Sequence, residues 1–373
     1  MDRRFFKNLD YTMITVVLIL IAIGLVMVFS ATHNNDRLTG GDPYSFVKKQ
    51  AVAVGIGALI FIIILFGDYR LSDRMSYALY IMNIVMLILV LVLGDERNGS
   101  KSWLFGIQPS EFAKVITIVV FAKFLAERNS LTSFFDFIWP FCYIGLPMIL
   151  ILMQPDFGTT LVFIFFMLIM MYMAGAPGLK IMAIIGTAVL LITLLFVSHN
   201  LFNTPLPVKD YQVARLTSFL NPENDPQGSS WNLRQAIIAV GSGQFFGKGI
   251  TKGTQGRLGY LPEHHTDFIF AILCEELGFI GGFGVLFLFF TLIWRGIRIA
   301  YQAKDKVGCL TAAGLVSMFL FHILENVGMN IGIMPITGIP LPFISSGGSS
   351  MIANMASIAI LINIWARRQK IMF

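Results

Sequence analysis

The stretch "LPEHHTDFIFAILCEELGFIGGFGVLFLFFTLIW", residues 261–294, holds two kinds of chemistry side by side. Glu263, His264, His265 and Asp267 crowd its opening, and an apolar run beginning Phe268-Ile269-Phe270-Ala271 follows at once. A run of that length is what a helix needs to cross roughly 30 Å of hydrocarbon. It is continuous rather than alternating, which marks a helix and not a barrel strand. Inside a bilayer only a helix or a closed barrel leaves no backbone group unbonded. The segment therefore reads as a membrane helix with an acid at its lip.

Working outward from it, the same pattern recurs along the whole chain. Of 373 residues 56% are hydrophobic and only 13% charged, with a mean hydropathy of +0.76. A soluble domain carries about 25% charged residues. The fold class is thus an all-α polytopic membrane protein. Ten spans are expected, at 11–31, 46–66, 76–93, 110–126, 137–154, 158–174, 179–198, 267–294, 309–332 and 348–366. The first is too long for a signal-peptide core and reads as a retained helix.

Ten spans place both termini on one side, and the positive-inside rule chooses that side. With cytoplasmic termini, the inner segments hold fifteen cations, among them Arg70, Lys123, Arg295, Arg298 and Arg367, against six in the outer short loops and helix ends. The long segment 199–266, which the rule does not weigh, then lies outside, together with LPEHHTD. The net charge of +6 is largely a cytoplasmic fringe suited to anionic membrane lipid and calls for no nucleic acid. Cys142, Cys274 and Cys309 fall in or beside apolar runs, an odd number with no disulfide framework and no metal spacing. With no repeat and no low-complexity tract, residues 1–373 read as a single membrane domain, and 199–266 as its large extracellular loop.

Ionisable groups in membrane helices are costly and mark sites or buried pairs. Here most sit near the outer face. Glu111 and Lys114 open the fourth span at i, i+3 and share a face. Asp156 opens the sixth and Asp267 the eighth. The ninth carries His322, Glu325, Asn326 and Asn330 along one helical face. Plainer readings stand beside these. Glu111–Lys114 suits a structural pair equally well. Asp156 and Ser110, each just after a proline, suit helix N-caps. Asn326 and Asn330 suit helix–helix hydrogen bonds, Glu276 a pair with a neighbouring helix, and His264 and His265 a solvated loop. Number and side favour a site, because structural pairs would be scattered over all depths.

Residues 334–350, MPITGIPLPFISSGGSS, contain Pro335, Pro340 and Pro342 and cannot form a regular helix. Ser345 and Ser346, opening the last span with two glycines, suit either an anion-binding helix N-terminus or an ordinary cap. The long loop holds Tyr211, Phe219, Trp231, Phe245, Phe246 and Tyr260, too aromatic for a disordered tether. Its segment 230–240 has helical periodicity. The Gly-rich part that follows, with Lys248, Lys252 and Arg257, suits an ordered turn that meets phosphate, but lacks a nucleotide-binding pattern.

Six stretches together carry a resemblance. They are QPSEFAK (108–114), QPDFGT (154–159), YQVARLTSFLNPENDPQGSSWNLRQAIIAVGSGQFFGKG (211–249), LPEHHTDFIFA (261–271), EELG (275–278) and GIPLPFISSGGSS (338–350). In this order, over about 11–366, the chain resembles the SEDS family of shape, elongation, division and sporulation proteins. The stretch 247–268 is more similar to the elongation branch, RodA, than to the division branch, FtsW, or the sporulation paralogue SpoVE. The resemblance implies a ten-helix peptidoglycan glycosyltransferase that polymerises lipid II into a growing glycan strand at the outer face of the cytoplasmic membrane. Its implied partner is a class B penicillin-binding protein supplying transpeptidation. The family's essential acid falls on Asp267, its Glu and Lys on Glu111 and Lys114, its further acid on Asp156 and its loop arginine on Arg215.

The chemistry requires a base for a sugar hydroxyl, here Asp267, and positive charge for a departing pyrophosphate, for which Lys114, Arg215 and Lys248 are candidates. A divalent cation, Mg or Mn, held by Asp156 or Glu111 is also open, and no organic cofactor is indicated. The rival reading is a flippase for lipid-linked cell-wall precursors. A transporter calls for midplane sites and broken helices in paired repeats, which the sequence does not display. A third reading is a scaffold that anchors other wall enzymes.

Overall fold

In the computed structural model, residues 8–33, 41–97, 100–128, 131–202 and 229–368 are described. Their apolar runs form α1 (Tyr11–Thr32), α2 (Ser45–Phe66), α3 (Asp73–Leu93), α4 (Pro109–Ala126), α5 (Ile138–Met153), α6 (Phe157–Met173), α7 (Gly178–Phe202), α9 (Ile269–Tyr301), α10 (Lys306–Asn330) and α11 (Gly348–Ala366). Each of the ten expected spans is matched. Among the described residues, eight helical segments are long and apolar enough to cross a membrane. The two others fall short for visible reasons. Helix α4 carries Glu111, Lys114 and Lys123, and α6 has only 17 residues. The chain is a polytopic all-α membrane protein.

Side chains at the helix starts supply several of the boundaries. Asp10, Ser72, Asp156 and Asp305 accept from the backbone N–H three residues on, the usual way of satisfying an orphan donor of the first turn. Ser110 does not cap α4. Pro109 occupies the first turn, the cap falls on Gln108, and Ser110 lies inside the helix. Helix α8 (Ser229–Ser242) fulfils the periodicity seen at 230–240. A hairpin of β1 (Asp95–Arg97) and β2 (Ser100–Trp103) joins α3 to α4; no alternating apolar pattern announced it.

The core sits on α10 and α11, the two most buried helices. Helix α10 packs against α9, α6 and α4, and α11 against α2 and α4. Apolar burial alone drives little association in lipid, so polar ties between helices matter. Asn83 Nδ2 donates to Thr117 Oγ1 at 3.0 Å. Asn363 Nδ2 donates to the carbonyls of Ile64 (2.6 Å) and Gly67 (2.8 Å) at the end of α2. Arg295 of α9 meets buried Asp10, at 2.6 Å.

Helix α9 is broken at Gly278, whose φ of 66° and ψ of −165° lie outside the helical region. The segment 244–249 repairs the break. Lys248 N–H donates to Glu275 O (3.0 Å) and Gly249 N–H to Glu276 O (2.9 Å), while Phe279 N–H donates to Gln244 O (2.9 Å). A Cβ at Gly278 would stand 2.6 Å from Phe245 O, in a backbone conformation that side chains avoid. Gly278→Ala is expected to destabilise the protein by about 1–3 kcal/mol, read as a lower melting temperature in detergent. An unchanged melt would mean that the break has no structural role.

Candidate functional site

The acids foreseen at helix starts are brought to one end of the bundle, and the proline-rich segment 334–347 links them. That segment holds no helix or strand, as its prolines dictate. The Asp267 carboxylate lies against it: a Cβ on Gly338 would be 3.3 Å from Asp267 Oδ2. On its other side the segment abuts α6, where a Cβ on Gly158 would be 3.0 Å from Thr337 O and from Ile339 Cγ1. Two residues before Gly158 is Asp156, whose carboxylate accepts from Thr159 N (3.0 Å) and Oγ1 (2.8 Å) as the α6 cap. Burial pushes the Asp156 carboxyl up from the usual range, against the bonds from Thr159 and the charge of Lys114.

Lys114 and Glu111 form the pair that their spacing foretold. Their ion pair is 2.8 Å long, with both side chains almost wholly buried on α4. Lys114 Nζ also meets His322 Nε2 of α10 at 3.1 Å. The same face of α10 carries the two asparagines. Asn326 Nδ2 donates to the backbone carbonyls of Asp267 (2.9 Å) and Ile339 (2.8 Å). Asn330 Nδ2 donates to Asp267 O (3.1 Å), and its Oδ1 accepts from Ala271 N (3.1 Å). One helical stripe thus holds both the acid-bearing start of α9 and the cation of α4.

Comparison with known proteins fits this arrangement. A family model described as "Cell cycle protein", covering FtsW, RodA and SpoVE, matches residues 10–370. The chain belongs to the SEDS family. Over 365 residues it is 40% identical to stage V sporulation protein E of Bacillus subtilis, covering 95% of this chain and 96% of that one. It is 33% identical to the peptidoglycan glycosyltransferase RodA of Treponema pallidum (97% and 98% covered). It is 36% identical to a probable peptidoglycan glycosyltransferase FtsW of Hydrogenovibrio crunogenus (95% and 91% covered). Among solved structures, a chain of a peptidoglycan synthase complex superposes with TM-score 0.77 at 29% identity, covering 96% of this chain and 98% of that one. RodA of Thermus thermophilus superposes with TM-score 0.69 at 26% identity (97% and 98% covered).

Other residues that the SEDS resemblance or the sequence singled out are placed differently. Arg215, with Tyr211 and Phe219, lies outside the described residues. Lys248 is held by Glu275, Nζ to Oε1 at 2.6 Å, and by Thr254 Oγ1 at 3.0 Å. Glu275 Oε1 also accepts from Thr254 N–H (2.8 Å), so this carboxylate folds the Gly-rich turn onto α9. Glu276 finds the neighbouring-helix partner expected for it, Ser30 of α1, at 2.5 Å.

The Ser345 hydroxyl and the Ser346 N–H are not free for an anion. Ser345 Oγ donates to Thr266 O (2.7 Å) and accepts from Leu341 N (2.8 Å), and Ser346 N–H donates to His265 O (3.0 Å). The next N–H, of Gly347, goes to Gln50 Oε1. These groups brace the proline-rich segment against the residues before Asp267. Glu111 and Asp156 are a poor cradle for a metal ion. The first is bonded to Lys114 and the second to Thr159, and the described residues contain no group of three His, Cys, Asp or Glu donors to surround one.

The two histidines are buried, not solvated. His264 fills the space between the loop and α1, with Nδ1 2.7 Å from Leu261 O and Nε2 2.8 Å from Ala31 O. The His265 ring stands edge-on to Phe46 at 4.8 Å. The sequence offered no cue, because Ala31 of α1 and Phe46 of α2, which help enclose the two rings, lie more than two hundred residues away. Burial, and then the neighbouring His264, bring the His265 pKa from 6.5 down to about 4. Between those values the unfolded chain binds a proton that the folded one does not, so stability falls as pH drops through the window and is complete above it. The melting temperature should be lower at about pH 4.5 than at about pH 7.5, and His265→Gln should flatten that dependence. An equal slope in the variant would assign the pH effect to other groups.

Proposed function

We propose that this SEDS protein is a peptidoglycan glycosyltransferase that polymerises lipid II at the outer face of the bacterial cytoplasmic membrane, with both termini cytoplasmic. The RodA and FtsW relatives carry that enzyme name, the latter as probable, and the chemistry suits the site. In each cycle the 4-hydroxyl of an acceptor GlcNAc attacks C1 of a donor MurNAc, and the bond from C1 to the pyrophosphate oxygen breaks. Asp267 takes the hydroxyl proton as the new bond forms. The leaving undecaprenyl pyrophosphate gains negative charge, which Lys114 offsets from a preorganised position. Arg215 is a further cation for that role. Direct displacement inverts C1. The reading rests on one observation above all: a single face of α10 holds Asp267 and Lys114 together.

Membership in the RodA branch, with a role in elongation and shape, belongs to the same proposal, as does a class B penicillin-binding protein as crosslinking partner. The gap in α9 is the kind of feature a flippase would use. Its freed backbone groups are taken up by residues 244–249, which leaves them no cargo to bind and favours the polymerase. The test is a gel assay of lipid II polymerisation by the purified protein, alone and with the partner, with and without chelator. Long glycan products are expected. Lipid II flipping in liposomes with no polymer would overturn the reading in favour of the transporter.

A further inference from the structure

We propose that His322 is a positioning residue for Lys114, so that the stripe His322–Asn326–Asn330 on α10 acts as a ruler between base and cation. The inference rests on the polymerase reading and deepens it. The stripe follows i, i+4, i+8 spacing, which keeps three side chains on one helical face. Two rungs hold the Asp267 backbone carbonyl, at 2.9 and 3.1 Å. The remaining rung, His322, meets Lys114 at 3.1 Å. At about 1.5 Å of rise per residue, the His322 rung stands roughly 6 to 12 Å from the other two along the axis. That separation suits a sugar hydroxyl at one end and a diphosphate at the other.

The bonding fixes how His322 works. A lysine ammonium has donors and no acceptor, so Nε2 of the imidazole must accept. The ring proton is thereby assigned to Nδ1, which is buried without a hydrogen-bond partner among the described residues. His322 itself is 0% exposed. Lys114 has three N–H bonds. Glu111 takes one and His322 a second, and the third is aimed by those two constraints. Glu111 alone, on the same helix three residues away, cannot prevent the ammonium from swinging about that contact. The imidazole supplies a second direction from another helix, the one that also fixes Asp267. An apolar residue in its place would leave the charge pair and remove the aim.

The experiment uses the full-length protein in detergent or liposomes, with His322→Phe and His322→Gln. The glutamine retains an acceptor oxygen and no ring. Misplacement of a charge by about 1 Å costs up to about a hundredfold in rate, and the donor pyrophosphate gains charge only on leaving. The phenylalanine variant should therefore lose about 10- to 100-fold in kcat with little change in KM, while glutamine recovers most of it. A second readout needs no turnover, namely thermal stabilisation by added undecaprenyl pyrophosphate. The concentration for half-maximal stabilisation should rise about tenfold in His322→Phe and in Lys114→Met, as fits loss of one charge-assisted hydrogen bond, and stay near wild type in His322→Gln.

The inference is overturned if His322→Phe keeps wild-type kcat, if glutamine fails as badly as phenylalanine while still folded, or if pyrophosphate binding weakens in Lys114→Met alone. If wild type makes no polymer yet the binding pattern holds, the polymerase reading falls and the positioning role stands.

Discussion

Asp267→Ala is expected to abolish lipid II polymerisation, by about 10²- to 10⁴-fold, the contribution of a general base, while the protein still folds. The fold should survive because the surroundings grip the backbone of residue 267. Asn326 and Asn330 hold its carbonyl, and its N–H donates to Glu263 O at 3.1 Å. Those contacts do not depend on the carboxylate. Asp267→Asn should fail equally, since the amide keeps the shape and loses the basicity. Polymer length on gels, beside a melting curve for each variant, decides the matter. Full activity in a folded Asp267→Ala protein would remove the base from this position, and loss of folding would make the residue structural.

The second large effect concerns Lys114. Lys114→Met leaves the Glu111 carboxylate buried without its partner, which costs about 3–5 kcal/mol when one member of a buried pair is removed. Glu111→Gln with Lys114→Met replaces the ions by neutral groups of similar volume, so stability should largely return. Activity should not. A preorganised cation for the leaving group is worth about 10²- to 10³-fold, and the double variant has none at this position. Melting temperature and polymerisation should therefore part company in the double variant. Near wild-type polymerisation there would make the pair a packing feature, the plainer of the two readings its sequence allowed.

Local features of the chain were legible because they obey local rules. Spans follow from hydropathy and length, and all ten appear, nine of them within about four residues of their expected limits, while α9 runs on to Tyr301. The Glu111–Lys114 pair follows from i, i+3 spacing, and the shared face of His322, Asn326 and Asn330 from the helical repeat. Glycine at 278 was visible, but the break in α9 was not, because a glycine within an apolar run is compatible with an unbroken helix. The burial of His264 and His265 was missed because Ala31 and Phe46, which pack on them, are remote in the chain.

Sequence by itself determined that this protein spans a membrane with helices, which helix starts bear acids, and which family it joins. These depend on composition, periodicity and motif order, all written along the chain. Only the tertiary structure decided which polar groups remain available for chemistry. The side chains of Ser345 and Lys248 had the right character for an anion site, yet their bonds go to Thr266 and Glu275. His322 carried no more than a place on a helical face until α10 and α4 met. A buried hydrogen-bonding group must find a partner, and in a helical bundle that partner is set by packing between segments far apart in sequence.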